Sequence, residues 1–408
     1  MTTDAVAAPA APAPKTFLRS AFSHPLFTYR LVIAASAVLL SLGLLMVISA
    51  SSVTAAAEMG DPYYFGKRQI FFAVIGVAGA WVCSLLPERW LTALSWPALL
   101  LGVVLLVLTF TPLGVEVAGN RNWLSFGPSW TQFQPSEFAK VSIIVWGATD
   151  LARRRKQLTD VRQWLVYIVA TFTLIGLVVF QKDQGTAMVM AAIVILVLVG
   201  AGAPWRLLLS LGALAAAAIV ALVVLQPNRM NRIIAFLHPD TDLLGRNLQP
   251  TRGIYALATG GWFGQGLGSS RQKWGLLSAA HTDYIFAIIG EELGLMGTLG
   301  VIALFAVLAY AGLRTANRST SMFSRLVAIG VVAWFTVQAF ANIAVAIRAL
   351  PVLGVTLPMI SYGGSGLIAN LLAVGLLAGC ARREPEAALA LAARRRKPRV
   401  TAIVRAGA

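Results

Sequence analysis

A few ionisable side chains lie within or beside long apolar runs, where a charge is costly and therefore indicates a functional site. Asp283 begins one such run, within the segment Ala280–Phe286 (AHTDYIF). A carboxylate at that position is partly withdrawn from water, which raises its pKa toward that of a useful general base. A helix-terminus cap is the other interpretation of Asp283. Spacing alone does not decide between the two.

Two further polar sites have the same ambiguity. Glu137 and Lys140 lie three residues apart near the start of an apolar run, so they share one helix face and can pair. The pair either contacts a substrate or locks helix packing. Asp183 lies in the tight turn Gln181–Thr186. It either contacts the same substrate or caps the helix that follows.

These residues must be positioned by membrane helices. The 408 residues are 58% hydrophobic and 12% charged, with a mean hydropathy of +0.76, whereas a soluble domain carries about 25% charged residues. Apolar runs of about 20 residues recur along the chain, each able to cross a hydrocarbon core. The sequence therefore predicts an all-α polytopic membrane protein. About ten transmembrane helices are expected: Leu31–Val53, Gln69–Leu86, Leu91–Thr111, Ser136–Leu151, Trp164–Phe180, Thr186–Gly202, Leu207–Gln226, Asp283–Leu313, Leu326–Ile347 and Gly366–Ala381.

The distribution of basic residues predicts the orientation of these helices. Of the 33 lysines and arginines, 21 fall on the side of the N terminus, most densely in Arg153–Lys156 and Arg394–Lys397. By the positive-inside rule both termini are cytoplasmic. The net charge of +17 is therefore interpreted as loop charge that orients helices, and nucleic-acid binding is excluded.

The same orientation defines the expected domain organisation. A disordered cytoplasmic tail (1–28) precedes the membrane domain (29–383), and a basic cytoplasmic tail (384–408) follows it and pairs with anionic membrane lipid. The extracytoplasmic loops are 112–135, 348–365 and, between spans 7 and 8, the large loop 227–282. Loops of that length are typically functional or partly structured.

Metal and haem ligands are scarce. Cys83 and Cys380 both fall inside apolar runs, and the three histidines are His24, His238 and His281. None of them has the spacing of a metal site. The sequence itself predicts no metal centre.

Seven motifs together resemble one family. The chain from about Leu42 to Arg383 is similar to the SEDS family (shape, elongation, division and sporulation), and its GEELG run is closer to the division branch than to the elongation branch. Any one motif is weak, but their number and order are specific. They are Gly43–Ser52 (GLLMVISASS), Tyr64–Gln69 (YFGKRQ), Gln134–Lys140 (QPSEFAK), Asp183–Ala187 (DQGTA), Gly260–Lys273 (GGWFGQGLGSSRQK), His281–Gly294 (HTDYIFAIIGEELG) and Leu357–Ser365 (LPMISYGGS).

The resemblance implies a peptidoglycan glycosyltransferase of the division septum, in the bacterial cytoplasmic membrane. Its substrate would be lipid II, an undecaprenyl-diphosphate-linked disaccharide-pentapeptide, polymerised on the outer face. Its partners would be a class B penicillin-binding transpeptidase and other membrane proteins of the division complex. The resemblance makes Asp283 the essential carboxylate and a divalent cation (Mg or Mn) plausible. The implied substrate contacts are Glu137, Lys140, Asp183, His281, Thr282, Lys273, Arg121 and Trp123.

The chemistry fits a single carboxylate. A base must deprotonate the acceptor hydroxyl, whereas the diphosphate is already a good leaving group and needs no general acid. One in-line displacement would invert the anomeric centre. Charge on the leaving group requires a cation, for which Lys140, Arg271, Lys273 or a divalent ion are candidates.

Five positions depart from the family pattern, and two alternative functions stay open. Ser278 and Ala279 stand where proline and glutamate are common before the HTD motif. Asn122 stands where an arginine usually precedes the tryptophan (here Trp123), with Arg121 displaced by one residue. Arg348 replaces a usual glycine, and Gly366 replaces a usual serine or threonine. A lipid II flippase would have a similar polar cavity, and the same chemistry could serve cell elongation.

Overall fold

The computed structural model describes residues 24–117, 119–127, 132–155, 162–225, 227–238, 245, 247–277 and 279–396. Most of the predicted N-terminal tail, Lys156 and the end of the basic tail from Lys397 lie outside the described residues. Within them the chain forms thirteen helices and one β-hairpin. These are α1 Phe27–Met59, α2 Tyr64–Leu85, α3 Glu88–Leu108, β1 Gly114–Val117, β2 Asn120–Leu124, α4 Pro135–Arg153, α5 Arg162–Phe180, α6 Gln184–Ala201, α7 Trp205–Leu225, α8 Pro227–Leu237, α9 Leu248–Gly260, α10 Ile285–Arg318, α11 Met322–Ala346, α12 Gly364–Arg382 and α13 Pro385–Arg396.

Each of the ten predicted spans overlaps a helix, namely α1–α7 and α10–α12. Among the described residues, eight helices are long and apolar enough to cross a membrane, and α7 contributes a shorter apolar stretch, Trp205–Ala221. The exception is α4, whose 19 residues include Glu137, Lys140, Asp150 and Arg153. Glu137, Lys140 and Asp150 are buried, so their charges face protein, whereas Arg153 at the end of the helix is exposed. The prediction of an all-α polytopic membrane protein is confirmed at this level.

The core of the bundle is formed by α4, α11 and α12, whose side chains are mostly buried. Outer helices expose large apolar groups instead; Trp81 of α2 and Trp90 of α3 are 66% and 53% exposed. Small residues let the helices approach closely, as is usual in membranes. A Cβ on Gly375 of α12 would collide with the backbone of Ala80 on α2.

The predicted outer loops contain regular structure. In 112–135 the strands β1 and β2 form an antiparallel hairpin that pairs Val115 with Trp123, which adds a small β element to the predicted all-α fold. In 227–282 the chain forms α8 and α9, and α9 packs against α10. The strongly amphipathic α8 follows the end of α7 directly.

The predicted continuous span Asp283–Leu313 is wrong in one respect, because α10 is broken at Gly294. This glycine has φ 67° and ψ −165°, a backbone conformation that other residues avoid. The segment after α9 fills the break, since Gln265 N–H donates to the carbonyl of Glu291 at 2.9 Å and Leu295 N–H donates to Gly261 at the same distance. Irregular backbone is tolerated within a membrane protein only where it is satisfied in this way.

Candidate active site

Asp283 lies in the irregular segment immediately before α10. The N-cap residue of α10 is Tyr284, and no side chain caps the helix, so the capping interpretation of Asp283 is wrong. The carboxylate is half-buried, and no side chain in the described part of the chain hydrogen-bonds to it. Its backbone is fixed instead: the side-chain amide of Asn342, on α11, donates to the carbonyl of Asp283 at 2.8 Å and to that of Val355 at 2.7 Å.

The segment around Ser361 positions the two residues that precede Asp283. Tyr362 N–H donates to the carbonyl of His281 at 2.9 Å, and the Ser361 hydroxyl donates to that of Thr282 at 2.7 Å. Gln69, on α2, donates to the Ser361 carbonyl at 3.2 Å. Three motifs that are distant in sequence therefore meet at the irregular backbone segment that leads to Asp283.

The His281 ring packs in an aromatic cage. It stacks on Phe65 with ring centroids 5.1 Å apart and meets Tyr362 edge-on at 5.6 Å. Burial lowers the pKa of His281, so its imidazole is neutral at physiological pH. Its Nδ1 is buried without a hydrogen-bond partner in the described structure, which leaves one nitrogen available to a ligand.

The electrostatic environment suits Asp283 to proton transfer. Burial raises its pKa to about 6, the nearby charge of Asp183 adds to the rise, and the positive charge of Arg232 on α8 opposes it. A carboxyl with this pKa is largely ionised at neutral pH, yet it is a better proton acceptor than an ordinary aspartate.

Asp183 does cap α6, as one of its two interpretations predicted. Its Oδ1 accepts from Thr186 N–H at 3.1 Å. Its Oδ2 accepts from the side-chain amides of Asn122 and Gln134, both at 2.8 Å. Through these hydrogen bonds the hairpin and the start of α4 meet α6 at Asp183. Asp183 is also close enough to Asp283 for its charge to raise the pKa of that carboxyl.

Glu137 and Lys140 form the predicted ion pair inside the bundle. Lys140 Nζ lies 2.8 Å from Glu137 Oε1, and both side chains are buried. The ammonium also donates to Gln338 at 2.9 Å and lies 4.5 Å from the centroid of the Trp334 ring. The second carboxylate oxygen, Oε2, is buried without a partner in the described structure. A Cβ added to Gly366 would lie 3.5 Å from it.

Arg121 and Trp123 lie on β2, but neither side chain bonds to these carboxylates. The exposed Arg121 guanidinium donates to the carbonyl of Thr111 at 2.8 Å. Asn122, between them, is the residue whose side chain reaches Asp183. Substrate contact by Arg121 and Trp123 therefore stays a prediction.

Lys273 belongs to a second polar cluster around the break in α10. Its ammonium lies 3.6 Å from Glu292 Oε1 and donates to the Gly268 carbonyl at 2.6 Å. Ser49 donates to Glu292 at 2.7 Å, and Ser270 donates to Glu291 at 2.5 Å. Since Glu292 lies seven residues into α10, this cluster is about 10 Å along the helix from its start. The charge of Lys273 is thus neutralised by Glu292 at a distance from Asp283. Substrate binding by Lys273 stays a prediction.

Several residues of the site were not predicted, and most of them are neutral amides. Asn122, Gln134, Gln338 and Asn342 make the hydrogen bonds that fix the charged groups. Gln338 and Asn342 lie one turn apart in the apolar α11, so the cost of burying amides in a membrane helix could have indicated them. Asn122 and Gln134 give no such signal because they lie outside the membrane helices, in the segment predicted as the outer loop 112–135.

No group of three or more histidine, cysteine, aspartate or glutamate side chains within the described residues is arranged to hold a metal ion. Of the three carboxylates discussed, Asp283 has both side-chain oxygens free of side-chain hydrogen bonds within the described residues, whereas both oxygens of Asp183 and one oxygen of Glu137 are engaged. The divalent cation stays an expectation from the resemblance.

Comparison with known proteins places this architecture in a family. The FtsW/RodA/SpoVE family of cell cycle proteins matches residues 29–386. The chain is 38% identical over 389 residues to the probable peptidoglycan glycosyltransferase FtsW of Mycobacterium tuberculosis, covering 95% of this chain and 74% of that protein. It is 37% identical to the stage V sporulation protein E of Bacillus subtilis, covering 86% of this chain and 96% of that one.

Solved structures show the same fold. A chain from a peptidoglycan synthase complex that coordinates polymerization and crosslinking superimposes with a TM-score of 0.70 at 28% identity, covering 87% of this chain and 97% of that chain. The rod shape determining protein RodA of Thermus thermophilus superimposes with a TM-score of 0.65 at 27% identity, covering 87% of this chain and 96% of that chain. By sequence and by fold, this chain belongs to the FtsW/RodA/SpoVE family, the SEDS family.

Proposed function

We propose that this chain is a peptidoglycan glycosyltransferase that polymerises lipid II, with Asp283 as its general base. The observation that carries the proposal is the state of the Asp283 carboxylate. It lacks a hydrogen-bonded partner among the described residues, while its backbone is fixed by Asn342 and burial raises its pKa to about 6. A structural carboxylate would be paired; this one is held rigidly and kept available for a proton.

In the proposed reaction, Asp283 takes the proton of the acceptor sugar hydroxyl as that oxygen attacks the anomeric carbon of the donor. The new bond joins the oxygen to this carbon, and the bond from the carbon to the diphosphate breaks. The electron pair leaves with the diphosphate. Because the attack and the departure are in line, the anomeric centre inverts, and no second carboxylate is required.

The other polar groups would hold the substrate. Glu137 Oε2 is buried and free to accept from a sugar hydroxyl or peptide amide, and the neutral His281 offers Nδ1. Lys140 and Asp183 are tied to protein partners, so we assign them to shaping the cavity and setting its charge. Thr282, whose carbonyl is held by Ser361, aligns the backbone before Asp283.

An apolar groove suits the polyprenyl chain. It lies between α5, α6 and α7, has an empty volume of about 790 Å³, and is lined by side chains such as Phe172, Met188 and Leu214. Gln184 lies at its rim and directly follows Asp183. A lipid tail in this groove would therefore place its head group beside the polar site.

For the topology, we infer that all ten helices α1–α7 and α10–α12 span the membrane, with both termini cytoplasmic and the large loop between α7 and α10 outside. The distribution of basic residues supports this orientation. It places the hairpin, α8, α9 and Asp283 on the outer face, where lipid II would be polymerised. The basic C-terminal region would lie against anionic lipid on the inner face.

The relatives support a role in division and a transpeptidase partner. Many similar proteins are named FtsW, and a structural neighbour acts in a complex that couples polymerization to crosslinking. We infer that this chain works at the septum with a class B penicillin-binding transpeptidase and other membrane proteins of the division complex. Localisation to the lateral wall would instead indicate elongation.

A flippase is the competing function, because the buried Glu137–Lys140 pair would also suit a transport cavity. The test compares Asp283→Ala with the control variant Asp61→Ala. Asp61 is an exposed aspartate that follows the end of α1 and pairs with Lys67. Both variants and the wild type are assayed for polymerisation of purified lipid II and for translocation of fluorescent lipid II across vesicles. We expect Asp283→Ala alone to lose polymerisation. Translocation by the wild type without polymerisation would establish the flippase instead.

A further inference from the structure

Two of the three cationic side chains predicted to neutralise a leaving group are already neutralised. Lys140 pairs with Glu137 and Lys273 pairs with Glu292. A departing diphosphate carries several negative charges, and its stabilisation requires positive groups placed where that charge develops. The positive charge beside Asp283 comes instead from Arg232.

Arg232 and Arg348 line one cleft on the same side of the protein. The cleft has an empty volume of about 330 Å³ and is formed by α8, the start of α9 and the segment after α11. Arg232 donates to the carbonyl of Val352 at 3.4 Å. Neither guanidinium forms an ion pair with a carboxylate of the described residues, and Arg232 acts on Asp283 only through its charge.

Arg348 is held in place by neutral groups and by an unusual backbone. Its guanidinium donates to Asn247 Oδ1 at 3.1 Å and to Thr251 Oγ1 at 3.5 Å. Its φ is +57°, the left-handed region that favours glycine. An arginine that keeps a glycine conformation is typical of a functional constraint.

The cleft adjoins the proposed base. Arg348 lies six residues after Asn342, whose amide holds the Asp283 carbonyl. α9, which binds Arg348 through Thr251, packs Gly253 against the Tyr284 ring next in the chain to Asp283. Burial and the charge of Asp283 raise the pKa of Tyr284, while Arg348 and Arg232 both act against that rise.

We propose that the cleft between Arg232 and Arg348 binds the diphosphate of the polyprenyl-linked substrate and holds it beside Asp283. Guanidinium groups bind phosphate oxygens through paired, charge-assisted hydrogen bonds. The inference rests on the proposed glycosyltransferase function. In that reaction the diphosphate receives the electron pair when its bond to the anomeric carbon breaks, and the two guanidinium groups would stabilise the resulting charge. Arg348 would then be a substrate contact.

The test measures binding separately from catalysis. Undecaprenyl diphosphate is titrated into the full-length protein in nanodiscs of neutral phosphatidylcholine, with Arg348→Gly, Arg232→Gln and the control Arg252→Ala. Glycine at position 348 suits the existing backbone conformation. The control Arg252→Ala also removes one positive charge, but Arg252 lies on α9 and does not line the cleft. We expect about tenfold weaker binding for each cleft variant, as for loss of one charge-assisted contact, and no change for the control.

Two binding results would overturn the proposal: unchanged affinity in both cleft variants, or equal displacement of the probe by phosphatidylglycerol, which would show a general lipid head-group site. Failure of the proposed function is a separate result. If the wild type bound undecaprenyl diphosphate through the two arginines but formed no glycan, the cleft would stand and the glycosyltransferase would not. If Arg348→Gly and Arg232→Gln polymerised lipid II with a normal KM, the diphosphate site in the cleft would be refuted and the glycosyltransferase function would stand.

Discussion

The side-chain amide of Asn342 donates a hydrogen bond of 2.8 Å to the backbone carbonyl of Asp283. Through this contact the central helix α11 sets the position of a residue that lies outside any helix. The same amide group binds the Val355 carbonyl, so one side chain joins the base to the segment that leads to α12.

Asn342→Ala is therefore expected to lower kcat for lipid II polymerisation by about 100-fold, because small misplacements of a catalytic group cost that much. KM should change little, since the substrate contacts remain. Steady-state kinetics and thermal unfolding are measured on the same preparation. A variant that keeps both its melting temperature and its kcat would show that Asn342 does not position Asp283.

The pH dependence follows from Asp283. Its base form is the ionised carboxylate, so activity should be nearly constant above about pH 7, fall to half near the pKa of about 6, and decrease about tenfold per pH unit well below it. Stability should change in the opposite direction: because the folded pKa is raised, the folded state keeps a proton that the unfolded chain releases, and stability decreases as pH rises from about 4 to 6. Rates and melting temperatures across this range check both trends. A rate that stays flat down to pH 4.5 would contradict the assignment.

The Glu137–Lys140 pair makes a prediction about stability. Lys140→Met leaves Glu137 as a buried charge without its partner, which should lower the free energy of unfolding by about 3–5 kcal/mol. The double variant Glu137→Gln/Lys140→Met removes both charges and should recover most of that loss. Thermal unfolding in detergent compares them. Equal destabilisation of the single and double variants would mean that the pair is not electrostatically coupled.

Gly366 offers a test of the unpartnered oxygen on Glu137. A Cβ at Gly366 would lie 3.5 Å from Glu137 Oε2, so the hydroxyl of Gly366→Ser can donate to it. We expect the free energy of unfolding to rise by about 1 kcal/mol and the KM for lipid II to rise, because the oxygen is no longer free for substrate. Gly366→Ala supplies the carbon without the hydroxyl. Identical behaviour of the two variants would remove the hydrogen bond from the explanation.

Much of the scaffold follows from sequence because membrane burial leaves a strong local signal. Long apolar runs predicted the helices, and the high cost of a charge in such a run indicated Glu137, Lys140 and Asp283. The features that were missed depend on tertiary structure. Arg232 is an ordinary arginine until α8 folds back toward Asp283, and Asn122 contacts Asp183 only because the hairpin presents it there.

The break in α10 shows a second limit. Gly294 closely follows Glu291 and Glu292 in a run that is otherwise apolar, and glycine is common in membrane helices. The break is stable because the segment after α9 supplies hydrogen bonds at Gln265 and Leu295, contacts between residues some 30 positions apart in sequence. Local periodicity carries no information about them, so the sequence predicted a straight helix.

The most direct test of the account is the polymerisation rate of Asp283→Asn, which keeps the size of the side chain and removes its basicity. Lipid II binding and single-turnover polymerisation are measured on the wild type and this variant at pH 7.5 in the presence of the transpeptidase partner. We predict binding unchanged within about threefold and a rate lowered by about 100-fold or more, the range of general base catalysis. Glycan chains formed by Asp283→Asn at the wild-type rate would contradict the assignment of Asp283 as the base.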